Sequence, residues 1–356
     1  MGVNRGTSLV GIDVAVVTTE GERQVVPGAG RTYPYEPGLR QELLALAANG
    51  AQAYQQPLAE LEAAVAVAHA GAVLRFLAEV GVDRASVALV GLHGQTLYHN
   101  PAARITRQLG DPALVARILG LPVVAEFRHA DVAAGGEGAP LVPLYHQALA
   151  AGLAAPLAVL NWGGVGNITW VRGEEVLAFD TGPASALLDD FVARRCGIPF
   201  DRDGALARTG SVDAAVLARL MADPFFQRPP PKSLDRQAFH ARATAVEALS
   251  TADGAATLAA FTIAATAAAL DHLPEPPRRW LVTGGGRRNG WFMERLAATV
   301  GVPVEPVESV GWDGDFLEAQ CFAYLAVRAT RGLPLSLPST TGVPYPMPGG
   351  RLVPAP

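Results

Sequence analysis

Phe179-Asp180-Thr181-Gly182-Pro183 is the stretch that decides the fold, because it sets one carboxylate at a sharp turn between an expected strand and an expected helix. Val176-Leu177-Ala178-Phe179 leads in as an apolar run, and Ala186-Leu187-Leu188 with Phe191-Val192 follows at helical spacing. In open α/β sheets ligands bind beyond the carboxyl ends of strands, so Asp180 stands where a general base would act. A plainer role fits too: Asp180 or Thr181 caps the following helix, with Pro183 in its first turn. By itself the segment favours the cap, and only its neighbours along the chain turn the balance toward a base.

Working outward, strands ending in polar residues recur. Gly11-Ile12-Asp13-Val14-Ala15-Val16-Val17 reads as a strand, with Gly21-Glu22-Arg23 as a turn before Gln24-Val25-Val26 returns. The segment before Gly6 is too short for a full first strand. Leucine and valine spacing from Pro37 to Phe76 predicts two helices broken near Pro57. Val87–Leu92 runs into His93-Gly94-Gln95-Thr96, and Pro122–Ala125 runs into Glu126-Phe127-Arg128-His129-Ala130-Asp131. After a glycine-rich stretch from Ala133 to Pro140, Leu157–Leu160 and Ile168–Val171 precede the strand before Asp180. Strand, turn, strand, strand, helix thus occurs twice in outline, the pattern of two similar α/β lobes facing each other across a cleft.

A helix over Asp213–Met221, a stiff Pro229-Pro230-Pro231-Lys232-Ser233 turn and an Ala/Thr-rich helix over about 254–273 continue the second half. Trp280-Leu281-Val282-Thr283 then runs straight into Gly284-Gly285-Gly286 before a helix over about 291–299. Three glycines between strand and helix let a flat ligand or a phosphate approach the backbone. The triplet matches neither G-x-G-x-x-G nor a P-loop, and any tight turn would accept it. Gly6-Thr7-Ser8-Leu9-Val10-Gly11-Ile12-Asp13 offers amides and hydroxyls for phosphate oxygens and, in Asp13, a carboxylate for a metal-bound water. An ordinary hairpin turn explains the same residues.

Composition limits the partners. With 356 residues and 50% hydrophobic content the chain can bury two cores, and 28 basic against 33 acidic residues leave a net charge of −5. Scattered basic residues make nucleic acid and anionic membrane poor partners. Cys196 and Cys321 sit in apolar helical patterns without ligand spacing and read as small core residues in a reducing compartment. The N-terminal stretch lacks a signal peptide's apolar core, and polar residues break the Ala-rich segments before they span a bilayer, so a cytoplasmic location is expected. Those Ala-rich helices would suit a homodimer face.

Taken together the motifs carry a resemblance. Gly6-Thr7-Ser8-Leu9-x-Gly11-Ile12-Asp13, His93-Gly94-Gln95-Thr96, Phe127-Arg128-x-Ala130-Asp131, Asn161-x-Gly163-Gly164-x-x-Asn167, Phe179-Asp180-Thr181-Gly182-Pro183, Pro230-Pro231-Lys232-Ser233, Gly284-Gly285-Gly286-x-x-Asn289 and Pro338-Ser339-Thr340-Thr341-Gly342 follow one another in the order typical of anhydro-N-acetylmuramic acid kinases. The chain resembles that family from about residue 6 to its C-terminus.

The resemblance implies an α/β, two-lobed actin-like ATPase fold of ribonuclease H-like lobes around a central cleft. Residues 1–130 with about 342–356 would form the lobe with the phosphate loop, and 131–341 the lobe with Asp180 and the glycine turn. It implies ATP and Mg²⁺, and an anhydro amino sugar that is opened by water and phosphorylated at O6. Asp180 would be the catalytic base. Gly6, Thr7, Ser8, Leu9, Val10, Gly11, Ile12, Asp13, Gly163, Gly164, Asn167, Gly284, Gly285, Gly286 and Asn289 would bind the nucleotide. His93, Gln95, Thr96, Arg128 and Asp131 would face the sugar, although His93 also reads as a structural histidine and Arg128 and Asp131 as a mutual pair. Glu318 would arrange Mg²⁺, against a competing capping box in Asp315-Phe316-Leu317-Glu318; its stripe with Phe322 and Leu325 points it inward. The chain departs from the family in having Arg5 for Ser, Val10 for Asp, Glu126 for Asp, Glu137 for Gln and Ala184-Ser185 for Gly-Asn. A kinase for another anhydro sugar of the levoglucosan type, or a non-catalytic sugar or nucleotide binder because of Val10, are the alternatives.

Overall fold

The computed structural model describes residues 1–5, 11–234 and 239–356. Contacts divide the chain into two units, Met1–Ala151 with Phe316–Pro356, and Gly152–Asp315. These bounds differ from the expected ones: 131–151 and 316–341 cluster with the first unit.

The first unit contains β1 (Gly2–Arg5), β2 (Ile12–Thr19), β3 (Val25–Tyr33), β4 (Val90–Leu92), β5 (Gln95–Asn100), β6 (Ile105–Leu109), β7 (Val123–Ala125) and β13 (Arg351–Val353). Its main sheet runs β13-β7-β4-β1-β2-β3, while β5 and β6 form a separate hairpin. β1, β2 and β3 are an antiparallel meander, and β4 and β7 join β1 in parallel. Four residues therefore suffice for a first strand, contrary to expectation, because β1 is paired on both sides. Short parallel strands covered on both faces read as uninterrupted apolar runs, as β4 and β7 do.

The helix Leu317–Thr330 lies against this sheet because three strand residues lack side chains. A Cβ on Gly2 would stand 1.8 Å from the Ala319 carbonyl oxygen, and one on Gly91 2.1 Å from that of Phe322. Gly30 receives the Phe316 ring. Val3, Val14, Phe76, Val90 and Val123 fill the core on this unit's side. The helix Ala59–Val80, separated as expected from Pro37–Ala48, adds Val65, Ala66, Val73 and Leu77 to that core.

The second unit contains β8 (Leu157–Trp162), β9 (Val165–Arg172), β10 (Glu175–Pro183), β11 (Arg279–Thr283) and β12 (Val304–Pro306), in the order β10-β9-β8-β11-β12. Again the first three strands are an antiparallel meander and the next two are parallel to its first strand. Five strands of each unit thus share one order and one set of directions, the ribonuclease H-like arrangement on which the actin-like ATPase fold is built. The doubled outline read from the sequence is present in the backbone. Trp162, Phe179, Phe191, Phe261 and Trp280 form this unit's core.

Three expectations change. Cys196 ends its helix exposed, while Cys321 is buried. On length and composition alone, Ala59–Val80 and Thr251–His272 could cross a bilayer, because their few polar residues leave an apolar window; 67% of the second window is buried inside the protein. That burial makes the Ala-rich helix Thr251–Ala267 a core element of its unit rather than an open face for a second copy.

Candidate active site

Register places three polar residues of the second unit in one row. Asn161 on β8 pairs with Asn167 on β9, and Asn167 with Asp180 on β10, so their side chains share a face of the sheet. A bulge between Asp180 and Gly182 carries the strand on to Pro183. The next helix begins at Ser185 with Ala184 as its N-cap and no side-chain cap. Neither Asp180 nor Thr181 caps it, and Pro183 is outside its first turn. Instead, the Asp180 amide donates to the Lys232 carbonyl at 3.0 Å, and the Leu234 amide donates to Asp180 Oδ2 at 2.8 Å.

The glycine turn borders the same row. Asn161 is the register partner of Thr283, the last residue of β11, and Gly284 follows with φ +76°. A Cβ on Gly284 would meet Asn161 Oδ1 at 2.4 Å, whereas one on Gly285 would have no neighbour within 4 Å, so the backbone there lies open. Arg287 holds the turn, donating from Nη1 to the Gly284 carbonyl at 2.9 Å and from Nε to Glu308 at 2.9 Å. Gly163 and Gly164 are held by the start of the following helix: Ser185 Oγ donates to the Gly163 carbonyl at 3.0 Å and the Ala184 amide to the Gly164 carbonyl at 3.0 Å. Asn289 caps the helix Gly290–Val300 through Oδ1, accepting from the Phe292 amide at 3.2 Å.

A second row crosses the first unit. Asn4 on β1 pairs with Asp13 on β2, and Asp13 with Thr32 on β3. Asn4 Nδ2 donates to Glu318 Oε2 at 2.7 Å, and Thr32 Oγ1 to Asp13 Oδ1 at 2.6 Å. Two carboxylates and an amide therefore gather at one end of β1. Glu318 is exposed rather than inward-facing, because it stands in the first turn of its helix over the end of β1. No capping box forms, since Phe316 is the N-cap and makes no side-chain cap. Ile12 is a 1% exposed core residue, so its side chain is not turned to a ligand, and Gly11 is buried against the Tyr33 backbone. Gly6, Thr7, Ser8, Leu9 and Val10 lie outside the described residues.

Three of the remaining expected residues, His93, Arg128 and Asp131, meet around the 135–140 loop of the first unit. Arg128 Nε donates to His93 Nε2 at 2.9 Å, while His93 Nδ1 lies 2.9 Å from the Gly94 carbonyl. A carbonyl can only accept, so Nδ1 carries the proton and Nε2 accepts the hydrogen bond from Arg128 Nε–H, leaving His93 as the neutral tautomer. Arg128 Nη1 also donates to the Gly138 carbonyl at 2.6 Å. Asp131 is 2% exposed and accepts from the Gly138 amide at 2.6 Å, from Thr341 Oγ1 at 2.5 Å and from Ser336 Oγ. Its carboxylate is a knot beneath the loop. His99, whose pKa burial and Arg128 push down to about 4, reaches the Glu137 carbonyl from the other side at 2.9 Å. Glu126, at the end of β7, has φ +61°, a left-handed conformation that favours Asp or Asn among non-glycine residues, and pairs with Arg351. Gln95 is 1% exposed, and its Oε1 has no hydrogen-bond partner among the described residues, while Thr96 is half-buried opposite Gln108.

Asn4, Thr32, Ser336 and Arg287 were not singled out by sequence reasoning. Arg287 was visible only as half of a basic pair, and Ser336 carries no local signal. Asn161 and Thr341 lay inside quoted motifs without an assigned part.

Two sheets of one strand order, each crossed by a row of polar side chains, define the ribonuclease H-like framework of the actin-like ATPase fold. The family model for anhydro-N-acetylmuramic acid kinase matches residues 1–355, and the chain belongs to that family; it is a sugar kinase. The anhydro-N-acetylmuramic acid kinase of Rhodospirillum rubrum is 52% identical over 357 residues, covering 100% of this chain and 94% of its own. That of Acidiphilium cryptum is 57% identical over 357 residues, covering 99% and 97%. Among solved structures, component A of the Acidaminococcus fermentans (R)-2-hydroxyglutaryl-CoA dehydratase is similar with a TM-score of 0.49 at 11% identity, covering 93% of this chain and 98% of that one.

Proposed function

We propose that this kinase opens 1,6-anhydro-N-acetylmuramic acid with water and phosphorylates the freed O6 from ATP, giving N-acetylmuramic acid 6-phosphate and ADP during reuse of peptidoglycan fragments. The observation that carries the reading is Asp180: it caps no helix and is held by two backbone groups in a row otherwise made of amides. Asp180 takes a proton from water as the oxygen attacks the anomeric carbon. The C1–O6 bond breaks, and O6 receives the γ-phosphoryl group. Such a reaction depends chiefly on alignment and on neutralising phosphate charge.

The backbone left open at Gly285, the Gly163-Gly164 turn and Asn167 would take the nucleotide, together with residues 6–10 and Asp13. Asn289 would contribute by ordering the helix it caps. Arg128, His93, Gln95 and Thr96 would recognise the sugar, with Asp131 acting through the loop it ties down. The donor set of the first unit fits Mg²⁺: Asp13 and Glu318 supply two hard oxygen donors, and this ion keeps several waters and shares phosphate oxygens. Bound there, it would neutralise charge on the transferring group. Dependence on ATP supports action in the cytoplasm.

Turnover in ¹⁸O-labelled water tests the reading. ADP formation with one ¹⁸O in the sugar and none in its phosphate is the expected result, with slower turnover of analogues lacking the lactyl or N-acetyl group. Preference for unsubstituted levoglucosan would reassign the sugar. ATP binding with no ADP from any anhydro sugar would leave a binding protein.

A further inference from the structure

Buried lysines without a carboxylate partner are rare, since desolvation disfavours the charge. Lys232 is 4% exposed, and its Nζ donates to the carbonyls of Phe225 at 3.1 Å and Phe226 at 3.3 Å. It also lies 4.8 Å from the ring centroid of Phe225 and 5.4 Å from that of Phe179, the residue next to Asp180. Among the described residues no carboxylate pairs with it. Burial, with Arg228 nearby, pulls its pKa down to about 8.

The two carbonyls do not depend on the lysine. Phe225 O also accepts from the Arg228 amide at 3.3 Å, and Phe226 O lies 2.7 Å from His272 Nε2. What does depend on the lysine's placement is the segment it belongs to. The Lys232 carbonyl accepts the Asp180 amide, and the Leu234 amide, two residues on, donates to Asp180 Oδ2. The chain at 232–234 is a clamp on Asp180, and the ammonium is its anchor in the core.

We propose that Lys232 is a positioning residue for Asp180: seated on the Phe225 and Phe226 carbonyls and the Phe179 ring, it fixes the backbone clamp that aims the carboxylate. The inference rests on Asp180 being the base. Methionine at 232 would keep the apolar stem but lose the two donated bonds, so the clamp shifts while both carbonyls stay satisfied.

The test measures kcat and KM for ATP and sugar in Lys232→Met, alone and combined with Asp180→Asn. We expect kcat to fall at least tenfold with KM for ATP within twofold, and the residual rate of Asp180→Asn to change less than twofold when the lysine is also removed, because residues acting as a unit are non-additive. Equal falls in both backgrounds, or a raised KM with unchanged kcat, would overturn the role of Lys232. Should Lys232→Met not fold, Lys232→Arg, whose bulkier cation displaces the segment, is compared in the same two backgrounds with the same expectation. Slow Asp180→Asn beside parent-like Lys232→Met would overturn only the lysine's part, whereas parent-like Asp180→Asn would overturn the base itself.

Discussion

The two units carry their polar rows on the same strands and fill them with opposite chemistry. Asn4–Asp13–Thr32 in the first unit has its carboxylate in the middle, with a second, Glu318, bound to Asn4. Asn161–Asn167–Asp180 in the second unit has amides first and a single carboxylate on the outermost strand, gripped by backbone. Neighbouring carboxylates suit a cation and its waters, whereas a carboxylate oriented by backbone groups suits proton transfer. A common meander thus fixes where the side chains of each row stand, and the residue at each register position decides their chemistry.

The largest effect that would break this comparison concerns how each row is supported. Gly91→Ala sets a methyl 2.1 Å from a helix carbonyl, where backbone must move, and is expected to cost about 3 kcal/mol. Gly182→Ala meets the Ala265 methyl at 3.0 Å from a backbone at φ +142°, and is expected to cost about 1–2 kcal/mol. Urea unfolding of both variants checks the order; a larger loss at Gly182 would contradict the packing described. All five tryptophans lie in the second unit, so their fluorescence follows that unit alone.

Acid sharpens the contrast. Burial pushes His69 and His99 of the first unit down to about 4 from 6.5. The unfolded chain then binds more protons than the folded one between those values. The stability these rings confer is whole above about pH 6.5 and is lost as pH falls toward 4, on the order of 3 kcal/mol for each ring at the lower end. Limited proteolysis in urea across this range should show sites within residues 59–109 opening at lower urea as pH drops; a constant midpoint would contradict it. The smallest effects are caps. Asp111 accepts from the Ala113 and Leu114 amides and Asp213 from the Val216 amide, so Asp111→Ala and Asp213→Ala should each cost about 1 kcal/mol in thermal unfolding.

Much of this was legible in sequence because strand ends announce themselves as apolar runs stopping at polar clusters. The runs before His93, Glu126, Asp180 and Gly284 are strands, and the doubled outline is a doubled sheet. Long-range pairing was not legible. Asn4 meets Glu318 across 314 residues, and nothing local at either position shows it. For the same reason nothing local shows that the helix Leu317–Thr330 clusters with the first unit: the glycines that receive it are residues 2 and 91, with Gly30 against its N-cap Phe316. The cap reading of Asp180 failed on a single bulge, which lengthened β10 to Pro183 and moved the helix start beyond reach. Local patterns also overstated the capping box at Asp315–Glu318, because Glu318 is drawn to a side chain on another element.

The most direct test titrates Mg²⁺ against ATP turnover with the anhydro amino sugar in Asp180→Asn and Asp13→Asn. Asp180→Asn should stay a hundredfold or more below the parent at every Mg²⁺ concentration, as loss of a general base requires. Asp13→Asn should need roughly tenfold more Mg²⁺ and then approach the parent rate. Recovery of Asp180→Asn by added Mg²⁺, or a parent-like rate without it, would contradict the division of labour between the two rows.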